Sequence, residues 1–183
     1  MSATETTVAA GTWAIDATHS SIGFEVKHLG VSTFRGSFPD VAGTVTTENG
    51  TVTAIEGTIQ TASVQTVDVA LNGHLQAPDF FDSANYPQGS FRSTEVDDLG
   101  NGRLRIVGEL ELRGVTRPVE IDASISGTGG DPYGNDRIGL SGSAVIDRTE
   151  FGISWNAPLA NGVLTVAERV RLVLDVSAAR PAA

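Results

Sequence analysis

The chain has 183 residues, 40% of them hydrophobic, and a formal net charge of −10 at pH 7. This size and apolar content favour one folded domain and exclude a disordered chain, and no apolar run approaches the roughly 20 residues that span a bilayer as a helix. The acidic balance disfavours nucleic acid and anionic membranes as partners, and the absence of cysteine excludes disulfides, a thiol nucleophile and a thiolate metal site.

The two ends of the chain lack a strong structural pattern. We predict a disordered N-terminus over residues 1–10, one β-barrel domain over residues 11–178 and a flexible C-terminus over residues 179–183. The start carries neither a basic region nor an apolar stretch of the secretory type, so a cytoplasmic location is expected.

Ten segments carry the apolar–polar alternation that is typical of strands. They are residues 12–15, 21–28, 33–38, 41–47, 52–60, 90–96, 103–113, 118–126, 137–147 and 166–177. Turn signals such as Asn49-Gly50 and Asn161-Gly162 separate them. Many such strands with short connections predict an all-β antiparallel meander, closed as a barrel or folded as a sandwich.

Several of these strands place glycine in the middle of an apolar face. Gly108 lies between Ile106 and Leu110 on one face, and Gly36, Gly57 and Gly142 hold similar positions elsewhere. Walls with so little bulk at mid-length predict a hollow barrel that holds one elongated ligand. The alternative is that these glycines serve only to let the strands bend and coil.

Residues 60–90 interrupt the strand pattern. Four apolar residues recur there at helical spacing: Val64, Val67, Leu71 and Leu75. They predict one face of a helix that Pro78 should end, and residues 79–82 then predict a tight turn with two aromatic rings. We expect this helical excursion to cap one end of the barrel.

Eleven residues form the predicted ligand site. They are Phe24, Val26, His28, Phe38, Phe80, Phe81, Ile106, Leu110, Leu140, Arg148 and Trp155. Most are predicted walls, because ligand pockets are mainly hydrophobic with few polar anchors, and His28 and Arg148 are the predicted anchors. The alternatives are ordinary core packing for the wall residues, a hydrogen-bonded structural role for His28, and a surface ion pair of Arg148 with Asp147 or Glu150.

Neither a metal site nor a catalytic site is predicted, and no cofactor is expected. The three histidines, His19, His28 and His74, have spacings that match no short metal motif, and the chain carries no nucleophile or phosphate-binding motif. One alternative is an enzyme that acts on a lipid in the same cavity with His28, His74 or Glu150 as acid or base. Another is a barrel packed solid, in which Gly108→Leu would destabilise the core, whereas in an open barrel it would mainly block uptake.

Four separated motifs are similar to those of one family. They are W-x-I-D-x-x-H-S-x-I-x-F-x-V-x-H at residues 13–28, H-L-x-x-x-D-F-F-D followed by Y-P at 74–87, G-V-T-R-P-V at 114–119 and R-x-E-F-G at 148–152. With these motifs the chain resembles the YceI-like family of bacterial proteins over residues 11–177. The resemblance implies an extended lipocalin-like, eight-stranded antiparallel barrel with one helical excursion.

The resemblance also implies a function. Its apolar tunnel is expected to bind a polyisoprenoid, such as an isoprenoid quinone or a polyprenyl phosphate, and the protein is expected to act as a carrier or sequestering protein without stable membrane insertion. A homodimer is compatible with this. Many members have charged residues beside the H-L motif, where this chain has Leu71, Asn72 and Gln76, which leaves room for a neutral head group.

Overall fold

The computed structural model describes residues 8–181 and contains ten β-strands and one α-helix. The elements are β1 (Gly11–Ile15), β2 (Ser21–His28), β3 (Ser32–Phe38), β4 (Val41–Glu48), β5 (Thr51–Gln60), α1 (Val69–Gln76), β6 (Gln88–Gly100), β7 (Arg103–Leu112), β8 (Val115–Gly130), β9 (Asn135–Asp147) and β10 (Val166–Pro181). Each of the ten predicted segments is a strand, and their boundaries differ from the prediction mainly at the turns.

The strands form one closed antiparallel barrel. Its order is β1-β4-β5-β6-β7-β8-β9-β10-β2-β3, and β1 also pairs with β10. β10 carries β2 along its first half, where Leu172 faces Phe24, and β1 along its second half, where Ala178 faces Ile15. Since β3 pairs with β2 and β4 with β1, the ten strands occupy eight positions around the barrel. The predicted lipocalin-like architecture is therefore confirmed.

The two ends of the barrel differ. At one end, called the mouth, lie the β2–β3 and β7–β8 turns together with residues 61–87 and 148–165. At the other end, called the base, lie the β4–β5, β6–β7 and β8–β9 turns and the end of β10. Regular hairpins therefore form the base, and the irregular segments collect at the mouth.

Packed side chains fill the base. Trp13 is 2% exposed, and its Nε1 donates a hydrogen bond of 2.8 Å to Thr47 Oγ1. Val8 and Val45 are buried nearby in the same apolar core. A buried indole with its N–H satisfied is a stable plug, because it hides a large apolar area without leaving an unpaired donor.

Residues 61–87 cap the barrel, but the predicted helix face is only partly correct. α1 begins after its N-cap Asp68 and ends at Gln76, before Pro78 as predicted. Val67 precedes the helix and is fully exposed, because Gln65 pairs with Ser37 of β3 through two backbone hydrogen bonds and holds the chain extended there. α1, with eight residues, is the longest helix among the described residues, and none of the helices there could span a bilayer.

The barrel extends slightly beyond the predicted domain. Val8 is buried and pairs with Gly50, and β10 continues to Pro181, which pairs with Asn135. Residues 8–10 and 179–181 therefore belong to the folded structure and not to loose ends. The remaining predicted loose ends, residues 1–7 and 182–183, lie outside the described residues.

Candidate ligand-binding cavity

A cavity of about 560 Å³ lies inside the barrel between the packed base and the capping segment. The inward faces of the strands form its walls because side chains alternate along each strand. The deeper walls are aliphatic: Ile15, Val45, Ile121, Ala123, Leu140, Leu174 and Val176. The barrel is hollow, and the alternative of a solidly packed interior is wrong.

Aromatic rings surround the part of the cavity nearest the mouth. The Phe38 and Phe81 ring centroids are 5.2 Å apart in an edge-to-face arrangement, and Phe24 lies 6.2 Å from Phe81. This cluster joins β2 and β3 to the turn after α1. The rings therefore form part of the cavity wall and also hold the cap in place.

A second aromatic cluster completes the cap. His74 of α1 packs edge-on against Trp155 at 5.5 Å and against Phe80 at 5.0 Å between ring centroids. Trp155 follows the short 3-10 helix Arg148–Phe151. This cluster therefore connects α1 to the loop that leads into β10. The two clusters therefore contact the capping segment at Phe81 and at His74 and Phe80, respectively.

Polar lining residues are concentrated at the mouth. Five of them, Lys27, His28, Ser32, Thr33 and Thr165, lie on the β2–β3 hairpin or directly before β10. The described lining residues include no Asp or Glu. An amphiphile in this cavity would place its tail toward the aliphatic base and its head toward the mouth.

Arg148 borders the cavity as predicted, and its role as an anchor stays a prediction. It is 5% exposed and donates to three backbone carbonyls: Ile153 at 2.7 Å, Ala167 at 2.8 Å and Val166 at 3.0 Å. Burial lowers the pKa of its guanidinium, and the nearby charges of Glu168 and Asp147 oppose that shift. The expected surface ion pair is therefore wrong, and Arg148 ties the 3-10 helix to the start of β10 while bordering the cavity.

His28 is exposed at the mouth, where it lines the cavity. Within residues 8–181 its ring has no hydrogen-bond partner, so the alternative of a hydrogen-bonded structural histidine is wrong. His19 lies outside the cavity lining, where its Nδ1 forms a hydrogen bond with Asp16 Oδ2. In that same range no group of three or more His, Cys, Asp or Glu side chains is placed to hold a metal ion.

The mid-face glycines play two roles. At Gly36 and Gly108 a Cβ atom would overlap the rings of Phe24 and Phe91, so the empty space there holds a neighbouring aromatic ring. A Cβ at Gly57, in contrast, would meet nothing closer than the Ala42 carbonyl at 3.7 Å, and Gly57 borders the cavity. Glycine therefore makes space at some positions and seats a ring at others.

All eleven residues of the predicted site border this one cavity. Their contact with a ligand stays a prediction. The predicted site left out other lining residues, among them Phe34, Phe91 and Ile121. The signal was present, since Phe34 shares the inward face of β3 with Phe38, and Phe91 shares that of its strand with Gly89.

The sequence is similar to that of several bacterial proteins. A UPF0312 protein of Shewanella baltica is 38% identical over 140 residues, which cover 75% of this chain and 73% of the relative. A UPF0312 protein of Vibrio parahaemolyticus is 34% identical over 137 residues, covering 74% and 72%.

Three solved structures share the fold. The Campylobacter jejuni YceI protein has a TM-score of 0.71 and 27% identity, covering 84% of this chain and 89% of that chain. Burkholderia cenocepacia BcnA has a TM-score of 0.74 at 20% identity, covering 89% and 98%. A polyisoprenoid binding domain from Saccharophagus degradans, described as implicated in plant cell wall breakdown, has a TM-score of 0.66 at 15% identity, covering 94% and 100%. Because the profile of the YceI-like domain also matches residues 13–178, the chain belongs to the YceI-like family.

Proposed function

We propose that this protein binds one long apolar amphiphile inside its barrel and acts as a non-catalytic carrier or sequestering protein. The observation that carries the proposal is the cavity of about 560 Å³ with apolar walls. Its volume lies within the roughly 300–1,000 Å³ that is typical of ligand sites. Transfer of the ligand from water to these walls would supply most of the affinity.

A polyisoprenoid is the proposed class of ligand. Its methyl-branched chain suits the irregular walls that Phe38, Phe81 and the aliphatic residues form at the two ends of the cavity. The polyisoprenoid binding domain of Saccharophagus degradans has the same fold, which supports the proposal. Burial should favour longer chains until the cavity is full, because each buried CH₂ contributes about 0.8 kcal/mol.

The mouth favours a head group that accepts hydrogen bonds. Lys27, His28 and Ser32 can donate there, and no carboxylate is present among the described lining residues to attract a cationic head. Two further features favour a neutral head, such as a quinone, over a polyprenyl phosphate. Each guanidinium nitrogen of Arg148 already donates to a backbone carbonyl, so the donors of this cation are used within the protein. The neutral Asn72 on α1 is also engaged, since its Oδ1 accepts from the Thr66 N–H at 2.8 Å.

The catalytic alternative has less support. Glu150 is not among the residues that line the cavity. His74 lines it, but its Nε2 lies 3.8 Å from Asp79 Oδ2, which is too long for the hydrogen bond that would orient a catalytic base. Binding without turnover is therefore the better interpretation. A homodimer stays a prediction, which light scattering of the purified protein tests.

Native mass spectrometry of freshly purified protein, followed by titration with prenyl alcohols of increasing length, tests the proposal. We expect a co-purifying lipid with one molecule per chain. Affinity should rise roughly tenfold or more for each added isoprene unit before it levels off. Protein that is always empty and binds no prenyl alcohol would overturn the proposal, and a bound lipid that is converted to product would favour the enzyme.

A further inference from the structure

Three of the segments at the mouth share an unusual composition, whereas the charged residues at the mouth, such as Asp79, Arg113 and Glu150, lie outside these three. The three segments are residues 29–33, 61–78 and 153–167, which are together called the rim. Asp68 is the only Asp, Glu, Lys or Arg in them, whereas 19% of the chain is charged. In a protein with a net charge of −10, three neighbouring segments with a single charged residue among them are unexpected.

Apolar side chains point into solvent from each rim segment. Val31 is 84% exposed, Val67 100%, Val69 81% and Leu159 46%. None of these residues borders the cavity, so lining the ligand site does not explain them. Exposed apolar side chains that gather in one region indicate an interaction surface.

The three rim segments are in contact with one another in series. The Leu29 N–H donates to the Thr165 carbonyl at 2.9 Å, which joins the β2–β3 turn to the loop before β10. The contact between His74 and Trp155 joins that loop to α1. The exposed side chains therefore belong to three connected segments beside the entrance to the apolar cavity.

We propose that the rim docks on an electrically neutral lipid surface, from which the cavity takes up its ligand and to which it returns it. This inference rests on the proposed function. Tips that carry Val and Leu can enter the interfacial layer of a bilayer at little cost in buried charge, because Asp68, the N-cap of α1, is the one charged residue among them. A protein partner is less well matched, because protein interfaces depend on Trp, Tyr and Arg anchors and the exposed rim tips present none.

The charge of the molecule selects the kind of lipid surface. Acidic residues lie outside the rim almost without exception, and the net charge of −10 repels anionic head groups over about 10 Å at 0.1 M salt. A neutral surface avoids this repulsion and leaves the apolar contribution intact. Docking should therefore be stronger on neutral than on anionic vesicles at low salt.

The test uses phosphatidylcholine vesicles that contain geranylgeraniol. The rim variant carries Val31→Asp, Val67→Asp and Leu159→Asp. The control variant carries Tyr133→Asp and Leu99→Asp, which change exposed apolar residues at the base. Co-sedimentation measures docking, and mass spectrometry of the protein after the vesicles are removed measures loading.

We expect the wild type and the control variant to sediment with the vesicles and to load at a rate that rises with vesicle concentration. The rim variant should bind the vesicles roughly tenfold less or weaker still. It should nevertheless load fully when geranylgeraniol is added from ethanol, because its cavity is unchanged.

Two other outcomes separate the two proposals. If the wild type loads from ethanol but does not bind vesicles, the docking surface is overturned and a protein donor is indicated instead. Equal losses of vesicle binding in the rim and control variants would also overturn the docking surface. Vesicle binding without loading by either route would overturn the proposed function and leave the docking surface standing.

Discussion

At the scale of single residues, Gly57 decides how much of the barrel stays open. It lies on β5 and borders the cavity. A Cβ atom at this position would have no neighbour closer than 3.7 Å. We expect Gly57→Leu to fill part of the cavity and weaken binding of prenyl alcohols at least tenfold, with a stability change of less than about 1 kcal/mol. Titration calorimetry and urea unfolding measure the two effects.

Two other glycines provide the comparison. Gly127 on β8 also faces open space but does not border the cavity, so Gly127→Leu should leave binding unchanged. Gly108→Leu would overlap the Phe91 ring and the Arg92 carbonyl, and it should destabilise the barrel whether or not the cavity is open. Gly108 therefore cannot distinguish a hollow barrel from a packed one, and Gly57 can. Unchanged ligand binding by Gly57→Leu would contradict the assignment of the cavity as the binding site.

At the scale of elements, Arg113 connects the β7–β8 turn to the cap. Arg113 and Gly114 both have positive φ, as a two-residue hairpin turn requires. The Arg113 Nη1 donates to the Phe80 carbonyl at 2.8 Å and to the Gly152 carbonyl at 2.9 Å. One side chain thus ties the capping segment and the loop after the 3-10 helix to a rigid hairpin.

Loss of this connection should loosen the cap. We expect Arg113→Met to raise hydrogen exchange in residues 77–83 and to speed ligand release several-fold, while overall stability falls by roughly 1 kcal/mol. Arg117→Met is the matched control, because Arg117 is exposed and its Nη1 donates to the adjacent Thr116 carbonyl. Equal exchange in both variants would show that Arg113 does not hold the cap.

At the scale of the whole molecule, a charged cluster lies at the seam of the barrel, which is the β1–β10 pairing that closes it. Arg137 of β9 donates to Asp16 after β1 at 2.8 Å and to Asp131 of the β8–β9 turn at 2.9 Å. It also reaches Ser177 of β10 at 3.1 Å. Hydrogen bonds from Arg137, and then from His19, lower the pKa of Asp16 from 3.8 to about 2.

This shift predicts how stability depends on pH. A lowered pKa means that the folded state favours the carboxylate, so its contribution is complete above the unfolded value near 4 and is lost as the pH falls toward about 2. We expect Asp16→Asn to cost about 1–2 kcal/mol near neutral pH and several-fold less near pH 2.

Urea unfolding at both pH values measures the effect. Asp122→Asn, which changes an exposed carboxylate on β8, should cost little at either pH. An Asp16→Asn penalty of the same size near pH 2 as at neutral pH would show that the carboxylate charge is not what stabilises the seam.

The sequence by itself determined the strands and the faces that point inward, because the alternation of side chains along a strand is a local property. It also determined that the segment before Pro78 is helical and that the aromatic turn follows. These local patterns were enough to name residues such as Phe38, Leu140 and Trp155, all of which border the cavity.

Only the tertiary structure decided what each inward or polar group meets. Phe91 fills the space beside Gly108, and Arg148 donates to three backbone carbonyls. Gln65 pairs with Ser37 and so leaves Val67 outside the helix. Each of these contacts joins segments from different strands or loops. Their geometry depends on barrel closure and on strand register, and neither of these is recorded in the spacing of residues along one segment.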